Sequence, residues 1–256
     1  MRELMKTRIL LICGLVAVLF AGCSKQDGSN NNYASENSGS GKGGSMARFA
    51  ISGNYLYVVN SNSLLVYDIS DPAMAVPKST VAVGWEIETI FPYDDKLFIG
   101  STTGLFIFEL KDPEHPNRLG AVQHFRACDP VVTQGNTAYL TLRGNGTCGS
   151  PNNSLMVYDV TNPTQPILKN QLNLKGPYGL GVHSNALYVC DGADGLVVYD
   201  VTIPLYPKTV KTIKDGSTFL DVIPYNDVLI VYVKGGVRFF DISTPQNPVL
   251  LSEMLN

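Results

Sequence analysis

A phrase that occurs five times is the feature that most constrains the fold of this 256-residue chain. Each copy joins an apolar run, an acid and a proline turn, as in "SLLVYDISDPAMAVP" and "GLVVYDVTIPLYP". The acids are Asp68, Glu109, Asp159, Asp200 and Asp241, and successive acids lie 41, 50, 41 and 41 residues apart. A period near 40 residues is typical of a repeat architecture in which each unit is one supersecondary motif.

Each unit contains four strand-like segments, which we label A to D. The A and B segments flank a pair of residues that tolerate the positive φ of a hairpin turn. These pairs are Gly53-Asn54, Asp94-Asp95, Gly135-Asn136, Ser184-Asn185 and Asn226-Asp227. Because no helical period is visible, the five units predict an all-β chain, a five-bladed β-propeller of four-stranded antiparallel blades. A β-solenoid is the alternative.

The phrase itself predicts the C strand of a blade and the turn that closes it. "LVVYDV" and "LFIFEL" are apolar at nearly every position, which is typical of a strand covered on both faces. The acid at its end can accept backbone N–H bonds from the turn, and the proline then stops the ladder. The alternative is a ring of five carboxylates that binds cations, and the change to Glu at position 109 weakens it.

The phrases "LLVYDIS", "LMVYDVT" and "LVVYDVT", each followed by a proline turn, resemble those of the LVIVD-repeat proteins. The resemblance covers nearly the whole region from Met46 onward. It implies a β-propeller of the kind found in bacterial exported proteins and lipoproteins, and it implies no particular activity. The second unit departs most from the pattern, since it has Glu109 for Asp and Lys111 for Ser or Thr.

The start of the chain predicts export and lipidation. Basic residues precede an apolar run from Ile9 to Phe20, which is typical of a signal peptide. The run ends in "LFAGC", which resembles the lipobox of bacterial lipoproteins, and the resemblance implies that Cys23 carries the lipid. The alternative is an ordinary signal peptide with an incidental cysteine.

Three regions follow from this interpretation. Residues 1–22 are the signal peptide, residues 23–45 are the lipidated cysteine with a Ser-, Asn- and Gly-rich tether, and residues 46–256 are the propeller. We therefore expect a cell-envelope protein held to a membrane by lipid, at the outer membrane, and either periplasmic or surface-exposed. The net charge of −3 without a basic cluster indicates no nucleic-acid partner.

The third unit is nine residues longer than the others and has two cysteines near its extra loop. An exported protein is in an oxidising compartment, so we expect a Cys128–Cys148 disulfide, with two free thiols as the alternative. Cys190 lies in a strand and is expected to be a buried free thiol. The three histidines are scattered and no cysteine has metal-ligand spacing, so we expect neither a metal nor another cofactor.

Charged and aromatic residues gather where the D–A and B–C connections of a propeller meet at its channel mouth. This expected binding set is Arg48, Trp85, Glu86, Glu88, Arg126, Asp129, Arg143, Tyr178 and Asp221. It predicts a polar pocket for a sugar, a peptide or a carboxylate. The alternative is that these residues form salt bridges along a narrow, water-filled channel.

Two classes of function are compatible with this sequence. The favoured one is a non-enzymatic binding or scaffold module with a protein or glycan ligand, because the specific features serve anchoring, export and propeller construction. The alternative is a glycan-acting hydrolase or lyase that uses a carboxylate pair from Glu86, Glu88, Asp129 and Asp221. We also expect the ring to close by packing of the first blade against the fifth, because no strand is exchanged between the two ends.

Overall fold

The computed structural model describes residues 43–124, 130–144 and 152–256, and β-strand is the only regular element in these ranges. Twenty strands form five antiparallel four-stranded sheets, and neighbours in each sheet follow the order of the chain. The strands are, blade by blade, β1 (Phe49–Ser52), β2 (Tyr55–Val59), β3 (Ser63–Asp68) and β4 (Val76–Ala82); β5 (Ile87–Tyr93), β6 (Lys96–Ser101), β7 (Gly104–Glu109) and β8 (Asn117–Gln123); β9 (Val131–Gln134), β10 (Thr137–Leu142), β11 (Ser154–Asp159) and β12 (Ile167–Asn173); β13 (Leu180–His183), β14 (Ala186–Cys190), β15 (Leu196–Asp200) and β16 (Lys208–Ile213); and β17 (Phe219–Tyr225), β18 (Val228–Val233), β19 (Gly236–Asp241) and β20 (Val249–Leu255). The five-bladed β-propeller is confirmed. Within the described ranges, no helix is long and apolar enough to cross a membrane.

The hairpin turns between the A and B strands lie where the sequence predicts them. The first residue of every turn has a positive φ, between 49° and 58°: Gly53, Asp94, Gly135, Ser184 and Asn226. Gly, Asn and Asp adopt this conformation at low cost, so these pairs set the register of each hairpin. Only the fourth blade uses a serine there.

The acid of the repeated phrase caps the turn that follows it. The carboxylate Oδ1 of Asp200 accepts the backbone N–H of Thr202 at 2.8 Å, and Asp68, Asp159 and Asp241 accept the equivalent N–H at 2.8 to 3.0 Å. In the second blade Asp112 accepts the N–H of Glu114 at 3.1 Å. The expected turn-capping role is therefore seen in the four blades that have Asp.

Apolar side chains fill the spaces between consecutive blades. In the described part of the chain there are four such cores, between blades 1 and 2, 2 and 3, 3 and 4, and 4 and 5. The inner strands of the middle blades are accordingly buried on both faces, as β11 and β15 show. Buried and half-buried residues alternate instead along β3 and β19, so the first and fifth blades each bury only one face fully.

The seam between the first and fifth blades is built differently from the other four. A strands of consecutive blades pack together from β1 to β17, but β17 lacks the equivalent packing against β1 among the described residues. A short strap, Gly43–Ser45, lies there instead. It forms one wall of a channel cavity of about 190 Å³, and the A strands of blades 2 to 5 form the rest. The expectation that blade 1 packs directly on blade 5 is therefore wrong at the channel.

Backbone contacts fix the strap in place. Leu180 donates its backbone N–H to Ser45 Oγ at 2.8 Å, and Ser45 is 1% exposed. A Cβ on Gly44 would lie 2.5 Å from Asp221 Oδ2, so a larger residue there would require the Asp221 carboxylate to move. Gly43–Ser45 thus packs with the propeller, three residues ahead of the boundary expected at Met46.

Tyrosines on three B strands connect neighbouring blades through the repeated phrase. Tyr57 Oη donates to the carbonyl of Pro113 in the next blade at 3.0 Å, and Tyr139 Oη donates to that of Pro204 at 3.0 Å. These tyrosines are buried, and burial raises the pKa of both hydroxyls, so they remain donors at neutral pH. The first proline of the phrase therefore supplies an acceptor as well as ending the strand.

Candidate functional site

A cavity of about 280 Å³ opens on the side where the D–A and B–C connections meet. We call it the mouth cavity, and among the described residues its lining is Met46, Arg48, Glu88, Thr89, Pro130, Arg143, Pro177 and Tyr178. Four of the nine residues expected at the channel mouth are therefore brought together: Arg48, Glu88, Arg143 and Tyr178. They come from the first four blades or the segments that lead into them.

A β-bulge presents Glu88 to the mouth cavity. In the pairing of β5 with β6, Ile87 lies opposite Ser101 and Thr89 opposite Gly100, so Glu88 is the extra residue of the bulge. A bulge re-aims the side chain of the extra residue and is common beside functional sites. Glu88 is half-buried at this position.

The two arginines of the mouth cavity are held in different ways. Arg48 is exposed, and its Nη2 donates to the carbonyl of Ile87 at 3.0 Å. The Arg143 guanidinium lies over the Tyr178 ring, 4.1 Å from the ring centroid. Stacking occupies the face of a guanidinium and leaves donors on its edge available to a ligand.

The backbone on both sides of the cavity fixes Tyr178. Its N–H donates to the Cys190 carbonyl at 2.7 Å, and its carbonyl accepts the Thr141 hydroxyl at 2.6 Å. The stacked pair of Arg143 and Tyr178 therefore stands on a rigid base. The described lining of the mouth cavity carries two guanidiniums and one carboxylate, which favours an anionic ligand.

Asp221 lies beside the strap and outside the lining of the mouth cavity. Its Oδ1 accepts the Val222 N–H at 2.9 Å and the Ser45 hydroxyl at 3.3 Å. Burial raises the pKa of this carboxyl to about 6, although these two hydrogen bonds act in the opposite direction. Asp221 thus forms part of the wall that holds the strap.

Glu86 and Trp85 also lie outside the mouth cavity. The Thr102 hydroxyl donates to Glu86 Oε2, and the Thr102 N–H donates to the Glu86 carbonyl at 3.1 Å. Trp85 lines a separate groove between the first and second blades. The structure therefore divides the described members of the expected set among three places.

Several predictions concern residues outside the described ranges. These are the lipidated Cys23, the Cys128–Cys148 disulfide, and the binding residues Arg126 and Asp129. Cys190 is described, and it is a buried free thiol as expected. In the described ranges, no group of three or more His, Cys, Asp or Glu side chains is placed to hold a metal ion.

Sequence reasoning missed Ser45 and the apolar members of the mouth cavity. Ser45 belongs by composition to the polar tether, and nothing in its neighbourhood signals that Leu180, 135 positions away, would bind it. Pro130 and Pro177 lie just before β9 and β13. Their position ahead of A strands was the sequence signal that could have placed them at the channel mouth.

The five four-stranded sheets and the repeated sequence motif define the class of this protein. It is a five-bladed β-propeller that carries LVIVD repeats. The LVIVD repeat family matches residues 43–83 and 131–173, which contain the first and third blades. No curated protein sequence matches this chain.

Solved structures similar to this chain include β-propeller proteins. A protein from Lactobacillus plantarum aligns with a TM-score of 0.62 and 12% identity, over 79% of this chain and 68% of its own. The periplasmic gluconolactonase of Pseudomonas aeruginosa aligns with a TM-score of 0.61 and 15% identity, over 79% and 68%. BamB from Moraxella catarrhalis aligns with a TM-score of 0.56 and 11% identity, over 73% and 53%. At these identities the likeness shows the fold alone, and this chain spans between about half and two thirds of those proteins.

Proposed function

We propose that this protein is a lipid-anchored binding or scaffold module of the cell envelope, without enzymatic activity, and that its ligand is an anion held in the mouth cavity. The observation that carries the proposal is the convergence of Arg48, Arg143, Glu88 and Tyr178 on one cavity. A carboxylate matches a guanidinium edge by paired hydrogen bonds, and it is also the charged group of many envelope sugars and peptides. The ligand class is therefore a carboxylate-bearing sugar or peptide.

The arrangement of the arginines supports this ligand class. Stacking on Tyr178 holds the Arg143 guanidinium in one plane, so little side-chain freedom is lost when an anion binds its edge. Arg48 uses one nitrogen on the Ile87 carbonyl. Glu88 can accept from a sugar hydroxyl or a peptide N–H while the arginines hold the carboxylate.

The proposal is tested with D-galacturonate and citrate as probes, titrated by calorimetry at low and at moderate salt. We expect saturable binding that weakens with salt. We expect the Arg48→Ala/Arg143→Ala double variant to lose about tenfold or more in affinity, since each charged hydrogen bond contributes about 1.5–3 kcal/mol.

A matched control removes two positive charges from the opposite face. Lys111 and Lys208 are both exposed beside C–D turns, so Lys111→Ala/Lys208→Ala has the same net charge as the test variant. This control should bind as the unchanged protein does. Equal affinity in the test variant, or no binding of either probe to the unchanged protein, would contradict the proposal.

A glycan-acting enzyme is the alternative function, and the described carboxylates do not favour it. Such an enzyme needs two carboxyls that face one cleft. Glu88 lines the mouth cavity, whereas Glu86 is bound by Thr102 and Asp221 lies beside Ser45. The raised pKa of Asp221 arises from burial next to the strap.

The lipid anchor is a separate part of the proposal, and it rests on the sequence around Cys23. Expression with labelled palmitate should label the unchanged protein and place it in the membrane fraction. Cys23→Ser should abolish the label and release the protein from membranes. Cys190→Ser is the control, because Cys190 is buried in the propeller. Persistent labelling of Cys23→Ser would exclude this anchor.

A further inference from the structure

Trp85 is the single tryptophan of the chain, and 78% of its side chain is exposed. It is the most exposed large hydrophobic residue among those described. A large aromatic ring exposed to water indicates a binding surface, because burial of such a ring is among the strongest contributions to stability. The position of Trp85 between the first and second blades gives it no part in a blade core.

The turn that carries Trp85 is held on both sides. Glu86 has a φ of +53°, a conformation that side chains other than glycine rarely adopt, and Thr102 bonds both its carboxylate and its carbonyl. The Ile87 N–H donates to the Ser61 carbonyl at 3.0 Å. Strain that the surroundings maintain in this way is common at binding sites. The exposed indole is therefore presented from a fixed backbone.

A groove of about 540 Å³ lies beside the indole and crosses from the first blade to the second. Its lining includes Trp85, Asn62, Asn117 and Arg118, together with apolar residues such as Val81 and Phe108. It shares no lining residue with the mouth cavity. Amides both donate and accept hydrogen bonds, so this lining matches a ligand with many hydroxyl groups.

We propose that this Trp85 groove binds a neutral glycan. One pyranose ring stacks its C–H face on the indole of Trp85, and its hydroxyls bond Asn62, Asn117 and Arg118. An aromatic surface with neighbouring amide groups suits a sugar ring, which has an apolar face and a polar edge. The site is distinct from the mouth cavity and does not depend on the anionic ligand proposed there.

A lipid surface is the competing occupant, because an exposed tryptophan also favours the membrane interface. The groove favours the glycan. A surface that inserts into lipid presents a continuous apolar face, whereas the lining of this groove also includes two asparagines and an arginine. The two occupants are separated by experiment.

The single tryptophan makes the test direct, because intrinsic indole fluorescence reports only on Trp85. The full secreted chain with Cys23→Ser is titrated with maltohexaose, cellohexaose and laminarihexaose. We expect at least one of these to shift the emission to shorter wavelength in a saturable way, since a stacked ring removes water from the indole. Asn117→Ala/Arg118→Ala should weaken the same titration about tenfold or more.

Two further measurements keep the proposal falsifiable. Trp85→Ala, followed by calorimetry, should lose binding to the same hexasaccharide, while Tyr206→Ala, which removes another exposed aromatic ring on a C–D turn, should keep it. Thermal unfolding checks that each variant is folded. A shift with phosphatidylcholine vesicles but with no oligosaccharide, a titration unchanged in Asn117→Ala/Arg118→Ala, or no response to any of the three glycans overturns the proposal.

Discussion

The hydroxyl of Tyr188, in the fourth blade, donates a hydrogen bond of 2.7 Å to the carbonyl of Pro245, in the fifth. Tyr57 in the first blade and Tyr139 in the third make the same contact with the next blade, at Pro113 and Pro204 respectively. The equivalent B-strand positions of the second and fifth blades hold Phe98 and Ile230, which have no hydroxyl. The first proline carbonyl of the repeated motif thus links two blades wherever the B strand of the preceding blade has a tyrosine at this position.

Tyr188→Phe should lower the free energy of unfolding by about 1 to 2 kcal/mol. The ring and its packing remain, but the partly buried Pro245 carbonyl loses its donor. Urea unfolding measures the change. Tyr206→Phe alters an exposed ring and should change stability by less than about 0.5 kcal/mol. Equal stability of Tyr188→Phe and the unchanged protein would mean that the bond contributes nothing.

Asp221 should make the propeller less stable as pH rises. Its pKa is about 6 in the folded state, against about 3.9 in an unfolded chain, so the folded state binds the proton more tightly. The free energy of unfolding should therefore fall between about pH 4 and pH 6 and stay level above that, by about 1 to 3 kcal/mol in total. Unfolding curves across this range measure the slope.

Asp221→Asn should remove this slope and raise stability at neutral pH, because an amide keeps an acceptor for Val222 and Ser45 without a buried charge. Asp241→Asn is the control. Asp241 is a turn cap whose pKa is lowered by its hydrogen bonds to Ser243, so its loss leaves the Asp221 slope in place. A slope that survives in Asp221→Asn belongs to another group.

Gly195→Ala should destabilise the fourth blade by at least about 2 kcal/mol. A Cβ at this position would lie 2.3 Å from the Ile213 carbonyl oxygen, and φ is +109°. Gly176→Ala is a matched control, because a Cβ there meets no atom within 4 Å. Thermal unfolding compares the two variants. Similar losses in both would refute the steric explanation.

Cys190 should resist alkylation in the native protein. The residue is fully buried, and burial raises the pKa of its thiol well above the usual value, so little thiolate is present to react. Iodoacetamide followed by mass spectrometry should modify Cys190 only in denaturant. Rapid modification under native conditions would show that blades 4 and 5 separate readily.

The predicted fold depended on local signals, which is why so much of it is confirmed. A turn pair such as Gly53-Asn54 fixes a hairpin by its own backbone preference, and Asp200 caps its turn through an atom two residues away. The apolar run of each C strand likewise reports its own burial. Such features require no knowledge of distant residues.

The candidate site was predicted only in part, because membership of a cavity depends on where several blades meet. One cavity contains Arg48, Glu88, Arg143 and Tyr178. Trp85, only three positions before Glu88 in the sequence, lines another groove. The bulge at Glu88 and the positive φ of Glu86 turn neighbouring side chains in different directions. A sequence position at the start of an A strand does not carry that information.

The sequence by itself determined the number of blades, their strand order and the role of the repeated acid, because each follows from contacts within one unit of about 41 residues. Only the tertiary structure decided how the first and fifth blades meet. There Gly44 and Ser45 lie against Asp221, more than 170 residues away in the sequence. A repeat specifies the contacts within a unit and between consecutive units, whereas the junction of its two ends depends on residues that lie far apart in the sequence.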